Sequence, residues 1–254
     1  MLVVLVAIMV ALFLVVPLII TVPMSFSSAA SFQFPPAGYG LAFYKQYFTS
    51  PDWTEATCNS LLIATFTTVL TLLVVVPAAM GFVRYRFRAR QQANLLVMLP
   101  MMMPHVVSAL AFYAFLSYLG MNGTKLGMVL AHTALAIPVT FLVIAASMKG
   151  FDYNLERAAM SAGAGPWRTF FYVTFPVLRP GILVGALFAF LSSFNEAVVS
   201  IFIAGRDAST LPKKMFESIR LDTDPTLAVV STLLTLSVLI CILAYAAVTH
   251  RNRK

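Results

Sequence analysis

Charge is what this chain has least of. Acidic and basic side chains together make up 10% of its 254 residues, against about a quarter in a soluble domain. So few ionic groups cannot keep a surface of this size in water, which excludes an ordinary soluble enzyme or binding module. Cysteine is scarce as well. Cys58 and Cys241 lie far apart, in or beside apolar runs, so a disulfide framework is not indicated and both read as inert packing residues. His105, His132 and His250 are scattered and have no Cys or carboxylate neighbours, so no metal cluster is expected. The phosphate-cradling pattern G-x-x-x-x-G-K-[ST] is missing, and the chain is not expected to bind ATP itself. No nucleophile–base constellation can be placed, which leaves a membrane-embedded hydrolase without support. No heptad, solenoid or low-complexity repeat is visible.

What is present is long apolar sequence. Hydrophobic residues make up 60% of the chain, and the mean hydropathy is +0.90. A helix needs about 20 apolar residues to cross about 30 Å of hydrocarbon. Six such runs are predicted, over 2–24, 58–82, 94–119, 126–148, 178–204 and 226–248. The expected fold class is an all-α membrane protein with six transmembrane helices, residues 1–254 forming a single transmembrane domain. Pro17, Pro77, Pro100, Pro104 and Pro138 fall in or near the runs. Proline is tolerated there when neighbours satisfy the freed carbonyls. Residues 1–24 lack a basic leading segment and exceed the usual length of a signal's apolar core, so they are expected to stay as the first span despite Ser28-Ala29-Ala30 behind them.

The net charge of +8 does not point to nucleic acid, because the basic residues sit at the ends of apolar runs. One side of the membrane collects Arg84, Arg86, Arg88 and Arg90, then Lys149, Arg157, Arg168 and Arg179, then Arg251, Arg253 and Lys254. The other has fewer, diluted by Asp52, Glu55, Asp207, Glu217, Asp222 and Asp224. The positive-inside rule makes the first side cytoplasmic, with both termini inside a bacterial inner membrane. The external loop 25–56 carries Phe32, Phe34, Tyr39, Tyr44, Tyr47, Phe48 and Trp53. It reads either as an aromatic belt or as a partner surface. The external segment 205–225 reads mostly as a solvated loop, with partner contact assigned to the segment as a whole and to no single residue.

One polar segment interrupts the spans. From Asp152, a good N-cap, Leu155 to Ala162 is mostly strong helix former. Gly163 and Gly165 break the helix, and Pro166 suits the first turn of a second one. The reading is helix, glycine break, helix, across the cytoplasmic mouth. Ala158, Ala159, Ala162 and Gly163 leave little bulk and suit a groove on another protein. An ordinary inter-helix loop is the alternative.

The pattern Leu155-Glu156-x-Ala158-Ala159-x-x-x-Gly163-Ala164, with Pro176 thirteen residues after the glycine and then Pro180-Gly181, resembles the EAA loop of bacterial ABC-importer permeases. Asn59-Ser60, Arg84-Tyr-Arg-Phe-Arg88, Leu211-Pro212, Asp224-Pro225 and Ser193-Phe-Asn-Glu-Ala-Val-Val-Ser-Ile-Phe202 are similar to the second permease of spermidine/putrescine importers. The resemblance implies the type I importer transmembrane domain, with 152–181 as its coupling segment. Glu156, Arg157, Ala158, Ala159, Gly163 and Ala164 would then dock on an ABC ATPase dimer. It also implies a second permease subunit, a periplasmic substrate-binding protein and a small-molecule solute, with no nucleic acid. The chain itself would hold no cofactor, ATP and Mg residing on the ATPase subunits. The family's acidic residue directly before the Ala-Ala pair is Arg157 here, so either Glu156 or Arg157 faces the ATPase.

Within the fifth run, Glu196 is flanked by Ser192, Ser193 and Asn195. A mid-membrane carboxylate costs about 2.5–3.5 kcal/mol on insertion scales and therefore faces a cavity or a partner. These four residues either line a pathway for a cationic amine, or Glu196 pairs structurally with a neighbouring helix or the second permease. Relatives often carry an acid where Asn195 stands, which keeps amino acids, opines and aminophosphonates open beside polyamines. A secondary transporter and a membrane anchor or assembly protein are the other classes. His105 and His132 read as satisfied packing histidines, and Met98, Met101, Met102 and Met103 as adaptable packing.

Overall fold

The computed structural model describes residues 2–29, 33–221 and 224–251. Phe32, Asp222, Ala30, Arg253 and Lys254 lie outside it, as do the side chains of Cys241, His250 and Arg251. In chain order the helices are α1 (Leu2–Ser25), α2 (Ala42–Thr49), α3 (Pro51–Arg84), α4 (Arg90–Met102), α5 (His105–Tyr118), α6 (Lys125–Lys149), α7 (Asn154–Ser161), α8 (Pro166–Thr169), α9 (Phe175–Phe194), α10 (Val198–Ile203), α11 (Leu211–Leu221) and α12 (Thr226–Arg251). One isolated bridge, Ser27 to Tyr39, is the sole β pairing among the described residues. In lipid each backbone N–H and C=O must be satisfied within the chain, and helices do this without neighbours.

By length and composition four helical stretches are able to cross a membrane: Val3–Ser25, Pro51–Arg84, Lys125–Lys149 and Pro166–Phe194. The third expected span, 94–119, is broken. α4 and α5 meet at 103° and count as a fifth crossing only when taken together. Pro104 causes the break, since it has no N–H to donate and forces Met103 into extended backbone, at φ −84° and ψ 141°. The fifth expected span also shifts. It starts at Pro166, twelve residues before the expected 178, and stops at Phe194 instead of 204. The sixth expected span lies on α12, of which Thr226–Ile240 counts as an apolar helix among the described residues. Six spans are expected from sequence; at most five are counted among the described residues.

Contacts group the chain into two units, Met1–Glu55 with Lys214–Lys254, and Ala56–Lys213. In the first, α1 and α2 both lie against α12. The aromatics of the external loop divide between two roles. Tyr47 and Trp53 are buried with ring centroids 6.3 Å apart, while Phe34, Tyr39 and Phe48 are exposed. Lys214 lies 3.1 Å from Asp52 and 5.9 Å from the Trp53 ring centre.

In the second unit α6 is the central helix, packed against α9, α4 and α10. The hydroxyl of Thr124 caps it by accepting the Gly127 N–H at 3.0 Å. Ile63, Leu116, Met128 and Val199 form one core cluster; Val75, Phe141, Ile144 and Leu178 form another. Lipid tails are as apolar as leucine, so close packing must hold the helices together. Gly181 and Gly185 supply it. A Cβ on Gly181 would stand 2.0 Å from Ser147 Oγ, and one on Gly185 would stand 2.8 Å from Ile144 Cγ1.

At two places expected to pack, side chains are exposed in this chain. Cys58 is exposed, although Asn59 and Ser60 after it are buried. Met98 packs on the second core cluster, but Met101 and Met102 are exposed where the helix breaks.

Candidate functional site

α7 ends as the glycine pattern predicts. Gly163 takes φ +88°; its N–H donates to Met160 O, and the Ala164 N–H donates to Ala159 O, both at 3.0 Å. This is a Schellman turn, which satisfies the last carbonyls of the helix and needs a left-handed residue at its centre. Gly165 has no such role. Its φ of −69° suits any residue, and nothing lies within 4 Å of a Cβ there. Pro166 opens α8 as expected. The start of α7 differs slightly: Asp152 accepts the Asn154 N–H at 2.9 Å, with Tyr153 in the cap position.

Beyond α8 the chain passes through a wide π-turn, Phe170–Thr174, into α9. Thr174 and Arg84, the last residue of α3, both donate to the same carboxylate oxygen, Oε1 of Glu156. Glu156 is therefore turned inward and buried. Arg84 also lies over the Tyr153 ring, 5.5 Å from its centre. A cavity of about 550 Å³ opens beside this cluster, lined by Arg84, Tyr153, Glu156, Arg157 and Thr174. The remaining surface of α7 is open. Arg157, Ala158, Ser161, Ala162 and Gly163 are exposed, with Ala159 and Ala164 half-buried. Leu155, Met160 and Trp167 add exposed apolar surface, at 45%, 50% and 77%. Five of the six residues assigned to the coupling face are thus exposed or half-buried, Arg157 at the edge of the cavity among them, and Glu156 alone is buried.

The second constellation surrounds the end of α9. The chain leaves helical geometry at Asn195 and re-enters it at Val198. Glu196 Oε1 accepts the Val199 N–H at 3.0 Å and so caps α10. Its other oxygen lies 3.8 Å from His105 Nδ1, at the start of α5. His105 is exposed at 60%, which corrects its reading as a packing residue. His132 of α6 fits that reading: it is fully buried, 2.8 Å from Ser193 Oγ through Nδ1 and 3.4 Å from Ser200 Oγ through Nε2. One imidazole thereby clasps the chain on both sides of the break. Ser193 is taken up by this bond, Ser192 is half-buried, and Asn195 is exposed.

Sequence reasoning missed Arg84, Thr174 and the pairing of His132. No spacing rule connects positions 72 or 61 residues apart. It also missed the Gly181-x-x-x-Gly185 spacing, a signal that was available for a close helix crossing.

Discontinuous spans meeting at a carboxylate, with a short amphipathic helix exposed beside them, are features of membrane transport proteins. Residues 74–254 match the family of binding-protein-dependent transport system inner membrane components, and the chain belongs to that family of ABC-importer permeases. It is 26% identical over 240 residues to the spermidine/putrescine transport system permease protein PotC of Haemophilus influenzae, covering 94% of this chain and 93% of the relative. It is 30% identical over 230 residues to the putrescine transport system permease protein PotI of Escherichia coli K12, covering 87% and 81%. In fold it is similar to a chain in the crystal structure of a bacterial ABC transporter involved in the import of the acidic polysaccharide alginate. The TM-score is 0.73 at 18% identity, covering 97% of this chain and 94% of the other.

Proposed function

We propose that residues 1–254 act as one permease domain that imports a polyamine such as spermidine or putrescine. In this reading a periplasmic binding protein delivers the solute to the external face, a second permease completes the pathway, and an ABC ATPase dimer supplies the energy. ATP and Mg belong to that dimer. The observation that carries the reading is α7. It is tied to the ends of α3 and α9 through Glu156, and its small-residue face, with Arg157, is left for a partner. Arg157 takes the outward position, and both termini are cytoplasmic with it. Delivery of solute and binding of ATP must favour different states of the bundle, because a ligand shifts an equilibrium only by its differential affinity.

The polyamine reading draws its support from the named relatives and from Glu196. A carboxylate oxygen beside exposed His105 and Asn195 offers an ammonium group an acceptor at the break between α9 and α10. Asn195 is neutral, so an amino acid, opine or aminophosphonate is the second reading. The test purifies the complex with its binding protein and measures stimulation of ATPase activity by polyamines, amino acids and phosphonates. Stimulation by spermidine or putrescine alone is expected. Stimulation only by a zwitterion transfers the assignment to the second reading, and uptake that survives loss of the ATPase overturns the ATP-driven mechanism.

A further inference from the structure

A second cavity, of about 730 Å³, lies between the ends of α3 and α6 and the start of α4. Its volume falls within the about 300–1,000 Å³ typical of small-ligand sites. Three cations line it, Arg88, Arg90 and Lys149, and no acidic side chain does. None of the three side chains makes a hydrogen bond or ion pair among the described residues. Gln91 and Asn94 add amide groups to the same rim.

The remainder of the lining is apolar and belongs to the spans. Phe82 and Phe141 stand edge to face with centroids 5.1 Å apart, and Leu142 and Ala145 continue the wall along α6. Cations are therefore gathered at the mouth, where two membrane helices end, and hydrocarbon lies beneath. A soluble anion would use the mouth and leave the wall wet. An amphiphile with a negative head uses both.

We infer that this cavity is a site for the phosphate headgroup of an anionic glycerophospholipid. Arg88, Arg90 and Lys149 hold the phosphate, Gln91 and Asn94 donate to the glycerol oxygens, and an acyl chain starts along Phe82, Phe141 and Leu142. Basic pockets between membrane helices take such headgroups for this electrostatic reason. The site is separate from the α7 surface and does not depend on the transported solute. Only its assignment to the cytoplasmic leaflet rests on the proposed orientation.

The full-length protein in neutral detergent, titrated by native mass spectrometry, tests this. The probes are phosphatidylglycerol, phosphatidylcholine with identical acyl chains, and inorganic phosphate. Phosphatidylglycerol should bind at least about tenfold more tightly than phosphatidylcholine, since each nearby cation adds roughly a fivefold gain. The triple variant R88Q/R90Q/K149Q should lose that preference. K149Q alone should lose about fivefold, which keeps the test open if the triple variant aggregates. A146W fills the cavity without changing charge and should weaken binding comparably, whereas R86Q, outside the cavity, should stay within about twofold. Equal affinity for the two lipids overturns the site. So does a loss in R86Q matching that of the triple variant, and so does displacement of the lipid by equimolar phosphate.

Discussion

Arg84 and Glu156, 72 residues apart, meet where a long span ends and a short exposed helix begins. The guanidinium and the Thr174 hydroxyl share one oxygen of the carboxylate, so three segments converge on a single atom. The side chains retain 23% and 11% of their exposure, which makes this a partly desolvated pair. Removing one partner costs more than removing both, because the survivor stays buried without compensation.

Arg84→Gln is expected to destabilise the protein by about 3 kcal/mol, the lower end for a broken buried pair given the exposure of Arg84. The double variant R84Q/E156Q should recover most of that loss. Thermal unfolding in detergent, read as a double-mutant cycle, checks the coupling. Additive losses would mean that the two residues do not stabilise each other.

Gly163 and Gly165 look equivalent in sequence and should behave differently. Gly163→Ala forces a side chain into left-handed backbone at a cost of about 1–2 kcal/mol. It should lower ATPase-coupled transport while membrane insertion stays normal. Gly165→Ala should change stability by less than about 0.5 kcal/mol. A coupling assay on the reconstituted transporter, with insertion followed by fractionation, compares the two.

The two histidines make a similar contrast. His132→Ala removes the partner of both Ser193 and Ser200 and leaves a cavity; a loss of about 2–4 kcal/mol is expected. His105→Ala, at an exposed position, should stay within about 0.5 kcal/mol. Unfolding midpoints measured side by side are sufficient.

Glu196 caps a helix and carries a charge, and two substitutions separate these roles. Glu196→Gln keeps a carbonyl oxygen for the Val199 N–H but loses the charge, so it should fold normally and reduce polyamine uptake at least about tenfold if an ammonium contact worth about 1.4 kcal/mol is lost. Glu196→Ala should in addition destabilise by about 1 kcal/mol through loss of the cap. Unchanged uptake in the glutamine variant would remove Glu196 from the pathway.

The parts legible in sequence were those written in local pattern. α7, its Gly163 terminus and Pro166 at the next helix start all follow from short-range rules of capping and backbone freedom. Apolar length located the membrane helices but not their breaks. Pro104 was visible, yet proline is tolerated inside many membrane helices, and only the surrounding packing decides between a kink and a 103° turn. At the other break, Asn195 and Glu196 were singled out for their polarity, not for the interruption they mark. The direction of Glu156 was out of reach. Which of two adjacent polar residues turns inward depends on Arg84 and Thr174, and no local rule brings those three together. Gly181 and Gly185 were legible by spacing and were passed over.

From Pro166 to Phe194 the chain is helical without a gap, 29 residues in all, or about 43 Å at 1.5 Å per residue. One end is the turn beside the exposed face of α7; the other is held by His132 at the threshold of Glu196. A helix of that length, interrupted only by the π-turn at Phe170–Thr174, needs no relay of side chains to connect its two ends. In the proposed function, a shift imposed at Trp167 would travel along one continuous helix as far as Phe194, one break short of the carboxylate.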